Sequence, residues 1–526
     1  MKERLVEDWL IKAGERGGLD VAFCQILLAK GFKILRAGHS PTEVGKDIIA
    51  ISPDKKIHAY QIKCGHIGLK DFEAIQPQVT NLIEAAIIHP SIPRGAKHHS
   101  YLVTTGEFKL PVEVTVQALN DAWKGRGHGP LTLIRGSELV PDFMKLAADF
   151  WPVDPPEVRS FLTLYLAEGK GDLDHKGFAE FLHRLLPDKD LSKPIVARRI
   201  AAAGLFASYL LESFNRQGDN WSAFCGWTIT AAHQAWAAER YGLQDKMWKH
   251  SFDLTRGAAL AALDRLSFET LEPHGLMPHE PEIDDYTRMR NTIAFSAVAA
   301  RYLMHRRAGT PDSLPDAAIP MLDQLVRANR FWFWGESAFP HFLSIAWMLE
   351  HTGKCLYGEH VLIQILTALT RSNHQLSQNP VAGPELSGDE VLTSLFKKLE
   401  RTEPRRGRKA PVSYCLESII HLLALRMRRQ ALKARWYEIT HVEMASFQPK
   451  HAADALLWHC EQGEEKTRLQ GKPQRWQTLT GEARANDLSS LPEILRKDAD
   501  FALMFMLAYP HRASTTLVKA LDNWFG

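Results

Sequence analysis

Paired cysteines are absent. The six thiols (Cys24, Cys64, Cys225, Cys355, Cys415 and Cys460) stand far apart in 526 residues, with no CxxC pair among them. That spacing argues against a structural zinc site and against a secreted disulfide scaffold. The thiols read instead as small buried hydrophobes. Long apolar runs are missing too: none approaches the ~20 residues that cross a bilayer. The first residues, MKERLVEDWLIK, are charged and amphipathic where a signal peptide would be apolar. A cytoplasmic location with no membrane partner is the expectation. An excess of one charge is also lacking, since 64 Lys and Arg against 61 Asp and Glu leave +3. Any pull on a nucleic acid must therefore come from local patches. No Walker A loop or dinucleotide glycine fingerprint occurs, which argues against an NTP-driven motor. No fixed repeat period is visible, and a helical solenoid stays open.

What is present changes character near residue 150. Before it, helix and strand signals alternate: a short amphipathic helix over Glu3 to Lys12, and a second from about Asp20 to Lys30 with Gly31 as its stop. Three strand candidates follow, FKILRA, KDIIAIS and KIHAYQIK. Then come the helix DFEAIQPQVTNLIEAAI, in which Pro77 predicts a kink or a late start, the strand SYLVTTG, the helix VEVTVQALNDAWK and the strand LTLIRG. A meander followed by crossover helices gives an α/β domain, a mixed central sheet flanked by helices, over residues 1–150. WPVDPP (Trp151 to Pro156) reads as a linker, because its prolines deny a helix. Strand signals almost vanish beyond it, so 157–526 reads as a large all-α region. Its helices include 411–435 and 449–462, with GEEKTRLQGKPQRWQ as an exposed loop.

Chemistry concentrates at Asp47 in VGKDIIAIS and at Gln61 and Lys63 in AYQIKCG. Hydrolysis of a phosphodiester calls for a divalent cation on oxygen ligands and a positioned water. A carboxylate suits the metal, and a lysine beside it can orient the water or stabilise developing charge. Strand alternation puts Gln61 and Lys63 on one face. If Pro53, Asp54 and Lys55 form the hairpin loop, Ser52 pairs with Lys56 and Asp47 falls opposite Gln61. A four-residue loop would instead move Asp47 opposite Ile62. QxK alone says little, since it recurs at Gln244/Lys246, Gln448/Lys450 and Gln470/Lys472. The hydrophobic strand, the upstream hairpin and the aspartate on the partner strand single out Gln61 and Lys63.

This arrangement resembles the PD-(D/E)xK nuclease superfamily, and within it the Mrr-like restriction endonucleases, whose third motif is QxK. The likeness covers about residues 15 to 145: LLAKGFKIL, GKDIIAI, AYQIK, YLVTTG and LTLIRGSELV. It implies a restriction-endonuclease-like fold and catalytic roles for Asp47, Gln61 and Lys63. Asp47 would ligate Mg²⁺ or Mn²⁺, Gln61 would replace the usual acidic ligand, and the Ile62 carbonyl would assist. Asp20 would be the further acid from the preceding helix, where this chain has Leu-Asp in place of Phe-Glu; Glu7 and Glu15 are rivals. Gln78, on the helix after AYQIK, would also face the site. The resemblance implies DNA as substrate, with RNA as an alternative, and a role in prokaryotic defence. It also implies a homo-oligomer or a partner protein. The competing reading is a non-catalytic nucleic-acid-binding or scaffolding protein on the same fold.

Elsewhere, the stretch from Arg401 to Arg435 holds ten Lys or Arg. Arg405, Arg406, Arg408, Lys409, Arg428 and Arg429 are candidates for tracking a phosphate backbone. The plain alternative is a solvated loop and an exposed helix end whose cations suit the dipole. The aromatic run NRFWFWGESAFPHF reads as core. HEPEIDD (His279 to Asp285) reads as an acidic loop, lacking the two-histidine spacing of a zinc helix. His98 and His99 read as surface.

Overall fold

The computed structural model of the chain describes residues 2–14, 19–37, 45–87, 92–93, 95–147, 164, 171–187, 191–272, 284–309, 332–352, 355–373, 381–396, 412–460, 463–485 and 487–526. Contacts group the chain into two compact units, Met1–Ala262 and Leu263–Gly526. Linker residues 151–156 lie outside the described residues.

In the first unit, α1 (Lys2–Lys12) buries Val6, Trp9 and Leu10, the one-face spacing of an amphipathic helix. Helix α2 (Asp20–Ala29) is buried on nearly every side from Val21 to Leu27 and stops before Gly31, whose φ of +83° suits glycine. Strands β1 (Lys33–Ala37), β2 (Ile48–Ile51) and β3 (Ile57–Lys63) form an antiparallel meander. Helix α3 (Leu69–Glu84) then crosses to β4 (His99–Thr104), and α4 (Leu110–Gly125) to β5 (Leu131–Ile134), both joined in parallel. The five strands lie in the order β1-β2-β3-β4-β5, the mixed sheet expected from the pattern. Helix α3 begins at Leu69 and continues through Pro77, whose ring lies on its exposed side, so there is no late start.

Side-chain alternation divides the sheet. Ile49, Ala59, Leu102 and Leu131 meet Phe72, Val79 and Leu82 of α3 and Val112 and Val116 of α4 in one apolar core. Tyr60 turns to the other face, against Phe23 of α2 with ring centroids 5.2 Å apart. Helix α5 (Gly136–Ala147) returns to pack on α1, where Phe143 meets Trp9 edge-on.

The helices that follow, α6 (His175–Leu185), α7 (Lys193–Gln217), α8 (Asn220–Arg240) and α9 (Asp245–Leu271), are not a separate body. Tyr209 of α7 stacks on Trp9 at 4.4 Å, Glu212 accepts a 2.7 Å bond from the Gly14 amide, and Gln25 of α2 bonds Ser251 of α9. These contacts explain why α2 is buried all round rather than on one face. Helix α7 is long and apolar enough to cross a membrane, but most of that apolar stretch is buried among α2 and α8.

The second unit is mainly helical: α10 (Asp285–Ala308), α11 (Phe339–His351), α12 (Cys355–Asn373), α13 (Gly388–Phe396), α14 (Leu416–Leu425), α15 (Arg429–Ile439), α16 (Trp476–Arg484), α17 (Glu493–Lys497), α18 (Ala499–Ala508) and α19 (Thr515–Phe525). It is not all-α. A three-stranded sheet joins β6 (Val412–Ser413), β7 (Glu443–Pro449) and β8 (Gly463–Leu469) in that order. Strand β8, GEEKTRL, is exposed almost throughout and carries no apolar alternation, which is why its pattern read as a loop. The expected helix over 411–435 is instead β6 and two helices parted at Met427, which holds φ +57°. The expected helix over 449–462 is one 3-10 turn, Ala452–Leu456.

Candidate active site

The hairpin between β2 and β3 sets the site. The Ser52 amide donates to the Lys56 carbonyl at 3.0 Å and the Lys55 amide to the Ser52 carbonyl at 2.9 Å. Lys55 is left-handed at φ +65°. Pro53, Asp54 and Lys55 thus form a three-residue loop, a turn closed by a left-handed residue. Ile51 pairs with Ile57 and Ile48 with Tyr60, so the next step places Asp47 opposite Gln61. The four-residue alternative is ruled out.

At that step β2 departs from β3, and the Asp47 side chain takes over where the ladder ends. Its amide donates to the Tyr60 carbonyl at 2.9 Å. Its Oδ2 accepts 2.7 Å bonds from both the Ile62 amide and Gln61 Nε2. Asp47 and Gln61 are 5% and 3% exposed, so the pair is shielded from water. Because the amide nitrogen faces the carboxylate, Gln61 Oε1 points elsewhere and is buried without a hydrogen-bond partner among the described residues. Lys63 follows two residues on, half-buried, at the end of β3 opposite Thr104 of β4. Its carbonyl accepts from the Thr105 amide at 3.3 Å.

Lys46 was not singled out in the sequence, although GKD places a cation beside the key acid. It is 2% exposed, and Nζ donates to the Asn81 carbonyl in the last turn of α3 at 2.7 Å. Burial lowers its pKa to about 8. Gly45 precedes it at φ +75°, where a Cβ would come within 2.4 Å of the Gln78 carbonyl. Only glycine lets the chain enter β2 this close to α3. Gln78 itself is exposed, its carbonyl facing the Gly45 turn.

Asp20 opens α2 on the sheet face away from α3, and its Oδ1 accepts a 2.8 Å bond from the Val21 amide. No group of three His, Cys, Asp or Glu able to hold a metal forms among the described residues. A three-carboxylate set built on Asp47 and Asp20 is therefore not seen. Glu7 is exposed on α1, and Glu15 lies outside the described residues. The oxygen-bearing groups at the site are Asp47, Gln61, whose Oε1 is turned from the Asp47 carboxylate, and the Ile62 carbonyl. Oxygen is the hard donor type that Mg²⁺ or Mn²⁺ takes. The buried, unpartnered Gln61 oxygen is the feature that a cation would satisfy.

Arg405, Arg406, Arg408 and Lys409 lie outside the described residues. Arg428 pairs with Glu359 and precedes the first turn of α15, with Arg429 exposed next to it. Arg428 closes the C-terminal turn of α14, its amide donating to the Leu423 carbonyl at 2.8 Å, an end that suits cations as expected. With Arg429 it also opens α15, an end that does not. Trp334, Phe339, Phe342 and Trp347 are core, as the pattern suggested. Of the acidic loop, residues 279–283 lie outside the described residues, and Asp284 caps α10 through the Thr287 amide. His98 bonds the Leu82 carbonyl at 2.8 Å, while His99 is exposed. Comparison with protein-family models, with characterised proteins and with solved structures finds no match for this chain.

Proposed function

We propose that this chain is a metal-dependent endonuclease of the PD-(D/E)xK, Mrr-like kind, hydrolysing phosphodiester bonds in DNA. The observation that carries the reading is the Asp47–Gln61 pair at the point where β2 and β3 part, with Gln61 Oε1 left without a partner. Asp47, Gln61 Oε1 and the Ile62 carbonyl would hold Mg²⁺ or Mn²⁺. A cation bound there neutralises charge on the phosphate and lowers the pKa of a coordinated water. Asp47 also anchors the end of β3, through the Ile62 amide, so the donors are held by the backbone and not by a flexible loop. Lys63, on the same face as Gln61, orients the attacking water or stabilises the charge that builds on the phosphoryl oxygens. A cytoplasmic role in defence against foreign DNA, with a homo-oligomer or partner protein, accompanies this reading by analogy.

One observation favours the second reading, a nucleic-acid-binding protein with little catalysis: no third acid joins the donors among the described residues. Supercoiled DNA and structured RNA, each incubated with Mg²⁺ or Mn²⁺, separate these readings. Cleavage by the wild type that is lost in folded Asp47→Ala and Lys63→Ala supports the nuclease. Binding without cleavage, indifferent to both substitutions, supports the second reading.

A further inference from the structure

At the other end of β3 from Lys63 lie two cavities unrelated to the Asp47 donors. The first, of about 400 Å³, is walled by Phe32, His58, His99 and Tyr101, with Lys56 and Asp54 paired at its rim. Its rings are ordered: His58 lies over Tyr101 at 5.5 Å and 20°, and over His99 at 5.3 Å and 29°. Tyr60 continues the stack behind Tyr101 at 4.8 Å. Phe32 closes the side, edge-on to His58 at 5.2 Å. His58 Nδ1 lies 3.2 Å from the Tyr101 hydroxyl, while its buried Nε2 has no partner among the described residues. His99 is exposed and Tyr101 half-buried, so the stack ends on solvent.

The second cavity, of about 610 Å³, shares Phe32 as a wall. Lys33, Arg198, Lys246 and His250 line it with Trp248. The two volumes fall in the range of ordinary ligand sites. Flat rings in one cavity and cations in the other, with Phe32 common to both, match the two halves of a nucleotide. Stacking holds a base whatever its identity, and cations hold its phosphate.

We infer that the two cavities that share Phe32 bind an unpaired nucleotide, its base on His99 at the solvent end of the stack and its phosphate among Lys33, Arg198, Lys246 and His250. The nucleotide belongs to a single strand if the nuclease reading above holds, and that reading enters only in this choice of source. His58 and Gln61 lie three residues apart on β3, about 10 Å along the strand and on opposite faces. The nucleotide site is therefore separate from the Asp47 donors, and binding is measurable without cleavage.

The test uses the full chain in EDTA, where no cleavage occurs. Anisotropy of a fluorescein-labelled oligothymidylate of about ten nucleotides measures strand binding, and calorimetry with dTMP measures the free nucleotide. Arg198→Glu with Lys246→Glu is expected to weaken binding at least about tenfold and to flatten its salt dependence. His99→Ala is expected to weaken it about fivefold or more, and Tyr101→Phe, which keeps the ring, to leave it unchanged. Oligonucleotide binding without dTMP binding assigns the site to a strand, and tight dTMP binding to a free nucleotide. A wild-type chain that binds in this way but cleaves neither DNA nor RNA with Mg²⁺ or Mn²⁺ refutes the nuclease and leaves the nucleotide site standing. The inference is overturned if the wild type binds neither probe. It is equally overturned if the variants bind as the wild type does while melting at its temperature. Lys246→Gln, at an exposed position, replaces the double reversal if that variant does not fold.

Discussion

Asp47 and Gln61 are joined by a 2.7 Å hydrogen bond across the mouth of a hairpin, the amide donating and the carboxylate accepting. That one bond orients the Gln61 amide and leaves its oxygen unpartnered. The pair thus offers one carboxylate and one amide oxygen at the point where β2 and β3 part.

Gln61→Glu tests this directly. Without metal, the donor to Asp47 becomes a second buried carboxylate, and stability is expected to fall by roughly 1–3 kcal/mol. Mg²⁺ or Mn²⁺ is expected to restore the melting temperature of the variant more than that of the wild type. Thermal melts with EDTA and with each metal read this out; equal metal responses refute the coordination role.

Asp47→Ala and Lys63→Ala are expected to reduce cleavage at least about 100-fold, but their stabilities are expected to differ. Asp47→Ala strands the Ile62 amide and the Gln61 amide group, at a cost of about 1–3 kcal/mol. Asp47→Asn keeps an oxygen for Ile62 and is expected to fold normally while remaining inactive. Urea titrations beside the cleavage assay separate the structural from the chemical role.

The hairpin loop carries the register. Lys55 holds a left-handed conformation that costs a side-chain-bearing residue about 1–2 kcal/mol, so Lys55→Gly is expected to stabilise the hairpin by up to about that amount. One glycine inserted after Asp54 would slide Asp47 past Gln61 and abolish cleavage. Retained activity in the insertion variant would disprove dependence on register.

Glu336, in the 3-10 turn before α11, is buried and accepts from Ser413 Oγ and the Tyr414 amide. Burial raises its pKa from 4.5 to about 7, against those hydrogen bonds. Between these values the folded state binds more protons than the unfolded chain. The resulting stability is fully present below about pH 4.5 and is lost as pH rises through about 7. Glu336→Gln, neutral throughout, is therefore expected to gain on the wild type between pH 5 and pH 8 in denaturant titrations. A stability difference that is flat across that window contradicts the assignment.

Arg426 lies between Glu350 and Asp522, at 2.6 and 2.8 Å, with all three side chains largely buried. Removing it leaves two carboxylates facing each other without a counter-charge. Arg426→Ala is expected to destabilise the second unit by about 3–5 kcal/mol, visible as an earlier calorimetric transition. Arg428→Ala removes a half-exposed partner from the largely buried Glu359 and is expected to cost less, about 1–3 kcal/mol.

Local pattern alone specified the sheet of the first unit. Alternation in KDIIAIS and KIHAYQIK and the turn residues Pro53 and Asp54 led to the meander and to a register with Asp47 opposite Gln61. These are near-neighbour effects: a short hairpin is closed by its own loop, and side-chain period two does the rest. The same local reading failed at β8, because an exposed edge strand buries nothing and so leaves no periodic trace. It also failed over 411–435, where a left-handed Met427 parts two helices. Contacts distant in sequence decided the remainder. Trp9 on Tyr209, Gln25 with Ser251 and Gly14 with Glu212 unite the sheet with the helices that follow it, and no periodicity announces such partners. Lys46 is buried because the end of α3 supplies a carbonyl for it. Phe32 divides two cavities because β1, β3, α7 and α9 converge there. The sequence determined which residues could do chemistry; tertiary packing decided that, among the described residues, Gln61 keeps a bare oxygen and Asp20 joins no three-acid cluster.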